Sequence, residues 1–258
     1  MRKVFSTLAV CTLLLLGATT TFAQRWTQIG DKGDWVKTTD ITTTAGAFWS
    51  IEKDGTLFRT DKNGKYTQMG DKGEFYDAKF IVGLGNSLYT IEGGDLYRTS
   101  TSSLKWQKIS SDYGKTIAIT AMDNKLYSIE KDGSLYETEP DGTWRQIGET
   151  GDFHGAKLLA AYDGWLWTIE QGTLYKTNPS TSKWKQVGKT GDWVDADDMV
   201  ASGGSLWITE DDGTLYKVDT KGNWTEIKGD YSDVSWLLAL DDELYVVASG
   251  TLYRMNAK

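Results

Sequence analysis

Short apolar–polar alternations, each four to six residues long and bounded by turn residues, fill the chain from Trp26 onward, and no stretch holds a helical period. In one copy Lys79–Val82, Ser87–Glu92, Asp95–Thr99 and Lys105–Ile109 each read as a strand. The same four-strand sentence is repeated along the chain. An aromatic opening the fourth strand stands at Trp26, Tyr66, Trp106, Trp144, Trp184 and Trp224, at intervals of 40, 40, 38, 40 and 40 residues. Leu-aromatic steps mark the second strand (Leu88-Tyr89, Leu166-Trp167) and the third (Leu96-Tyr97, Leu174-Tyr175). Asp54-Gly55, Gly93-Gly94, Asp132-Gly133 and Asp212-Gly213 supply the positive φ that a tight hairpin between them needs. Pro140 and Pro179 fall in the turns between third and fourth strands, where no ladder hydrogen bond is lost. A period of about 40 residues filled with short strands predicts the blades of a β-propeller.

The pattern therefore predicts an all-β, six-bladed propeller over residues 24–258. First strands are rich in small residues (Thr42-Thr43-Thr44, Leu159-Ala160-Ala161), as the crowded axis requires, and the Trp and Tyr of outer strands are expected to fill the wedge between blades. Arg25–Ile29 reads as a fourth strand with no preceding three, and Gly250–Arg254 as a third strand with no fourth. The N-terminal strand is thus expected to complete the last blade and close the ring. A β-trefoil would need three copies and a solenoid shorter coils, so neither fits.

Charge and cysteine content narrow the setting. Arg2 and Lys3, an apolar run from Leu8 to Gly17 and small residues up to Ala23 have the form of a cleaved signal peptide over residues 1–23, which predicts a secreted or periplasmic protein. A lipoprotein reading around Cys11 is weaker, because Val10 is bulky and the apolar run continues past the cysteine. Cys11 is the only cysteine, so processing would leave no disulfide, thiolate metal site or cysteine nucleophile. The full chain carries a net charge of −8. Such a surface disfavours nucleic acid, and no further apolar run reaches membrane length. A monomer without membrane insertion is expected.

The sharpest repeated chemistry follows the fourth strand, where an acid precedes an aromatic in all six copies: Asp34-Trp35, Glu74-Phe75, Asp112-Tyr113, Asp152-Phe153, Asp192-Trp193 and Asp230-Tyr231. Two roles are open to each pair. The ring could cover the apolar face of a sugar while the carboxylate accepts from its hydroxyls, or the ring could plug the space between blades while the acid binds loop amides. Four copies have a long glycine-containing loop; those at Tyr113 and Tyr231 are two residues shorter. The shortening is expected to draw these two tyrosines inward and leave about four sites, beside Trp35, Phe75, Phe153 and Trp193. On the ligand reading, Trp35 and Trp193 face solvent and Trp184 packs against a neighbouring blade. A second acid closes the second strand at Glu52, Glu92, Glu130, Glu170 and Glu210 and is Ala248 in the last copy. With the turn aspartates it offers oxygen ligands for calcium, but a loop anchor is the simpler role. Catalytic groupings are absent: His154 is the only histidine, no nucleophile motif occurs, and no acid stands out as a non-repeated residue on a first strand near the axis. The chain therefore reads as a non-enzyme needing no cofactor. Asn223-Trp224-Thr225 matches a glycosylation sequon, read here as core sequence.

The segments SLWITEDDGTLYKVDTKGNWTEI (Ser205 to Ile227) and LWTIEQGTLYKTNPSTSKWKQVG (Leu166 to Gly188) resemble the repeats of tectonin and tachylectin-type β-propeller lectins. That resemblance implies recognition of glycans or surface polysaccharide through sites repeated around a ring. The chain departs from the pattern in its longer acid-aromatic loop, in Tyr66 and in the altered sixth copy. Its expected function is multivalent carbohydrate binding. A protein-docking scaffold of the cell envelope and a metal-dependent propeller hydrolase or lactonase are the alternatives.

Overall fold

A computed structural model describes residues 25–256, so the expected signal peptide lies outside the described residues. The strands, in chain order, are β1 (Trp26–Ile29), β2 (Thr38–Thr44), β3 (Ala47–Glu52), β4 (Leu57–Thr60), β5 (Tyr66–Met69), β6 (Ala78–Leu84), β7 (Ser87–Glu92), β8 (Asp95–Ser100), β9 (Gln107–Ser110), β10 (Thr116–Met122), β11 (Lys125–Glu130) and β12 (Leu135–Thr138). They continue as β13 (Trp144–Ile147), β14 (Ala156–Tyr162), β15 (Trp165–Glu170), β16 (Thr173–Thr177), β17 (Trp184–Val187), β18 (Ala196–Ser202), β19 (Ser205–Glu210), β20 (Leu215–Val218), β21 (Trp224–Ile227), β22 (Val234–Leu240), β23 (Glu243–Ala248) and β24 (Thr251–Met255). Each group of four from β2 to β21 forms one antiparallel sheet, giving blades I to V. Blade VI has the order β1-β24-β23-β22. Trp26 lies opposite Met255 and Ile29 opposite Leu252, so the N-terminal strand closes the ring in the expected register.

Inter-blade packing begins at the second strands, whose leucines, isoleucines and large aromatics (Trp49, Tyr89, Trp167, Tyr245) are almost wholly buried. Each first strand carries a bulge near its start, between Thr38 and Asp40 in blade I and at the matching place in the other five. A bulge bends the strand and redirects the side chains that follow it. Here those residues, including Asp40, Phe80, Leu158, Asp198 and Trp236, line an axial cavity of about 450 Å³.

Cations on third and fourth strands tie neighbouring blades together through the turns between third and fourth strands. Arg98 donates to the Pro140 carbonyl (3.2 Å), Arg145 to that of Pro179 (3.1 Å) and Lys176 to that of Thr220 (3.3 Å). Pro140 and Pro179 thus serve at their turns as acceptors for the preceding blade.

Candidate functional site

The six acid-aromatic pairs share one backbone arrangement. The N–H of each aromatic donates to the carbonyl of the residue that ends the nearby hairpin turn: Trp35 to Gly250, Phe75 to Gly55, Tyr113 to Gly94, Phe153 to Gly133, Trp193 to Gly172 and Tyr231 to Gly213, all at 2.8–3.0 Å. Each loop leaving a blade is thereby latched onto that blade's second-to-third-strand turn. The acid stays within its own loop. In the long form it accepts from the amide three residues back: Asp34 from Asp31 (3.0 Å), Glu74 from Asp71 (3.0 Å), Asp152 from Glu149 (2.7 Å) and Asp192 from Lys189 (3.1 Å). In the same four copies a glutamine closes the loop by donating to its first glycine, as Gln68 does to Gly70 (3.1 Å).

This geometry corrects the expectation for the rings. Trp35, Phe75, Tyr113, Phe153, Trp193 and Tyr231 are all buried, with Trp35 only 5% and Trp193 only 3% exposed. The latch fixes the backbone so that each side chain drops between two blades; Trp35, for example, packs with Ile41, Phe48 and Tyr245. These faces are covered by protein and cannot stack on a sugar. Of the two roles open to the pairs, the rings adopt the plug, and Asp34, Glu74, Asp152, Asp192 and Asp230 bind loop amides.

The fourth-strand aromatics behave in the opposite way to that expected. Tyr66, Trp144, Trp184 and Trp224 are 58%, 54%, 64% and 52% exposed. Blades diverge with radius, and at the outermost strand the neighbouring sheet is too far away to cover a ring. Each instead rests edge-on against the third-strand aromatic of its own blade. The pairs are Phe58–Tyr66 (5.9 Å), Tyr136–Trp144 (5.2 Å), Tyr175–Trp184 (5.7 Å) and Tyr216–Trp224 (5.3 Å) between ring centroids. In blade V the ladder reaches inward, with Trp193 and Tyr216 at 5.4 Å.

Blades II and VI break the pattern. Trp106 collapses onto Phe75 (5.3 Å) and Trp26 onto Tyr231 (6.1 Å). Trp26 is fully buried, and Trp106 is half-buried because β9 begins only at Gln107, after a register shift against β8. The ladder is therefore exposed at blades I, III, IV and V. The short loop at Tyr113 does not close its blade, because the Tyr113 hydroxyl is held at depth by Thr138 Oγ1 (2.6 Å).

Two of these ladders wall well-formed clefts. Cleft I, about 430 Å³, lies between the loop from Gly33 to Lys37 and the sheet of blade I; Ser50, Glu52, Phe58 and Tyr66 line it, with Asp54 and Lys72 at one end. Cleft III, about 550 Å³, lies between the loop from Ser111 to Lys115 and blade III, lined by Ser128, Glu130, Asp132, Tyr136 and Trp144. Both volumes fall in the range of small-ligand sites. Trp35 and Tyr113 form part of the floors. The acids closing the second strands accept from threonine hydroxyls: Glu52 from Thr38 (3.1 Å), Glu92 from Thr90 (2.6 Å), Glu130 from Thr116 (3.0 Å) and Glu170 from Thr168 (2.6 Å). Burial raises the pKa of all five, Glu210 included. No three His, Cys, Asp or Glu residues converge to hold a metal ion among the described residues. No helix among them is long and apolar enough to cross a membrane.

Contrary to the sequence reading, two first strands also place an acid on the axial cavity, at a position where the other four copies carry none. Asp40 accepts from the amides of Ile81 (2.6 Å) and Ile41 (2.9 Å), and Asp198 from those of Leu237 (2.6 Å) and Met199 (2.7 Å). Each thus pins the first strand of the next blade. Burial is the main cause that pushes the Asp40 carboxyl up to about 7 and that of Asp198 up to about 6. The signal was present in the sequence: the matching positions in the other copies are Phe80, Ala118, Leu158 and Trp236. It shows only once the bulges align the copies.

Residues 81–197 match a family described as a DUF6242 β-propeller domain. Solved propellers share the fold at low identity. YCF48 from Cyanidioschyzon merolae is 14% identical with a TM-score of 0.59, the match covering 90% of this chain and 85% of that one. Virginiamycin B lyase from Staphylococcus aureus is 14% identical with a TM-score of 0.60 over 90% and 85%. PorZ of Porphyromonas gingivalis, a bacterial surface component of the type-IX secretion system, is 12% identical with a TM-score of 0.61; 90% of this chain matches only 38% of PorZ. No curated protein matches the chain in sequence. The fold is thus a six-bladed β-propeller of four-stranded antiparallel blades.

Proposed function

We propose that this propeller is a multivalent carbohydrate-binding protein whose sites are the exposed aromatic ladders of blades I, III, IV and V, two of them walling clefts. One observation carries the reading: four blades present a half-exposed aromatic, braced by a second ring of the same sheet and set on the sheet face that ends in a glutamate, buried at Glu130 and partly buried at Glu52, Glu170 and Glu210. A ring face of this kind covers the apolar face of a pyranose, and adjacent carboxylates accept from its hydroxyls. Repetition around a ring converts weak sites into avidity for a polymer such as a surface polysaccharide, by 10²–10⁴-fold where the geometry allows. The signal-peptide pattern of residues 1–23 supports presentation outside the cytoplasm.

A glycan array followed by calorimetric titration tests this. The expected stoichiometry is near four, falling by one with each alanine substitution of Tyr66, Trp144, Trp184 or Trp224. Absence of binding to any glycan would overturn the assignment.

The second reading is a protein-docking scaffold. It is favoured by exposed Val36, Tyr76 and Val194, each directly after a latched aromatic and so on one face of the ring. A structural neighbour, YCF48, is known bound to D1 peptide. Capture of an envelope protein that survives alanine substitution at the four outer aromatics and fails on Tyr76→Asp would favour this reading.

A further inference from the structure

We propose that cleft III binds a sugar carrying a free amino group, with Trp144 and Tyr136 covering the pyranose and the carboxylates of Glu130, Asp132 and Asp112 receiving the ammonium. This rests on the glycan-binding reading of the clefts and narrows it for one of them.

The charge lining the two clefts differs. In cleft I, Asp34, Glu52 and Asp54 are offset by Lys37 and Lys72, and Lys72 is already paired with Asp54 at 3.1 Å. In cleft III, Lys115 is the one cation among the lining residues, against Asp112, Glu130 and Asp132; Lys79 near Glu130 is engaged by the Thr116 carbonyl, and Lys108 near Asp112 is paired with Asp95. A ligand that brings its own positive charge fits the second site and gains less in the first. Glu130 is 7% exposed, and burial holds its carboxyl above the ordinary range. That is a cost an incoming ammonium relieves, since a nearby opposite charge favours the ionised form.

A second observation is independent of the acids. The Ser128 hydroxyl lines cleft III, its residue is 1% exposed, and its oxygen has no hydrogen-bond partner. A buried hydroxyl left unpaired costs about 1–3 kcal/mol, so such groups normally have a partner. Ser128 lies two residues before Glu130 on the same sheet face and directly opposite Tyr136. A sugar lying along Tyr136 and Trp144 would present hydroxyl or amino groups to both Ser128 and Glu130. The aromatic wall supplies the affinity for a pyranose and the polar pair supplies its orientation.

The test compares two trimers of the same linkage, one of glucosamine and one of N-acetylglucosamine, by calorimetry at a pH where the amine is protonated. The expected result is at least roughly tenfold tighter binding of the glucosamine trimer, the size of one charge-assisted hydrogen bond. Trp144→Ala and Asp132→Asn should abolish that preference, and Tyr66→Ala should leave it intact. Trp144 is exposed, so its variant is expected to fold; an unchanged melting temperature checks this. Equal or tighter binding of the acetylated trimer, reduced by one site on Trp144→Ala, would overturn the amine assignment and leave the clefts as glycan sites. A preference for the glucosamine trimer that survives Trp144→Ala undiminished would reveal general attraction to an acidic surface and overturn the site. If neutral glycans titrate only through Tyr66, Trp184 and Trp224, cleft III is not a sugar site and the inference falls alone.

Discussion

At the residue scale, the loop aromatics and four of the six outer-strand aromatics have exchanged the roles expected from their sequence neighbours. Trp193 follows an aspartate in a glycine-bearing loop, yet it is buried against Tyr216 and the core between blades IV and V. Trp193→Ala should cost about 3–5 kcal/mol, as for other buried aromatics, seen as a lower urea midpoint. Trp184→Ala removes an exposed ring and should change stability by no more than about 0.5 kcal/mol. The axial aspartates give the protein a pH dependence of defined sign. Folded Asp40 keeps its proton up to about pH 7, whereas the unfolded chain releases it near its ordinary value of 3.8. Between these limits the folded state binds more protons, so stability is greatest at the acidic end and falls as pH rises toward 7, then levels off. Asp40 contributes the larger part of this fall, and Asp198 adds a smaller one ending near pH 6. Asp40→Asn should flatten the slope in urea titrations run from pH 4 to pH 8 and raise stability at the alkaline end.

At the scale of elements, the unit that holds neighbouring blades is the latch between a departing loop and a hairpin turn. Gly55 shows why glycine is required there. Its φ is +76°, and a Cβ would stand 2.6 Å from the backbone nitrogen of Tyr76. Gly55→Ala therefore carries both a left-handed backbone penalty, about 1–3 kcal/mol, and a clash with a loop that cannot retreat without breaking the Phe75 bond. Hydrogen exchange should report it directly: the Phe75 amide loses protection while the amides of β3 keep theirs. Asp-Gly and Gly-Gly were legible in the sequence as hairpin turns. Their second role, as docking points for a loop some 20 residues later in the chain, was not. It depends on a close approach of two backbones, and a backbone contact leaves no hydropathy pattern behind.

At the scale of the whole molecule, the ring is closed by a short strand, β1, pairing with β24. Deleting residues 25–30 would leave blade VI with three strands and an unpaired edge along β24. Bare edges recruit other chains, so the truncated protein should elute as dimers or larger species and melt earlier. Wild type should not. The ring also sets valence. Its sequence repeats six times, but Trp106 and Trp26 fold inward onto Phe75 and Tyr231, leaving four outer aromatics exposed.

The linear pattern determined the number of blades, their four strands, the hairpin turns and the closure, because each of these is encoded by residues close in sequence or by simple repetition. It also marked the acid-aromatic pairs as the most regular feature of the chain. What those pairs do was decided by tertiary structure. A loop aromatic and an outer-strand aromatic look alike in sequence, and burial depends on how far the adjacent sheet stands at that radius. The latch carries the loop ring into the narrow part of the wedge, while the fourth strand lies where blades have diverged. Asp40 and Asp198 became special in the same way. Only the bulged first strands, packed around one axis, set these two carboxyls against the amides of the next blade.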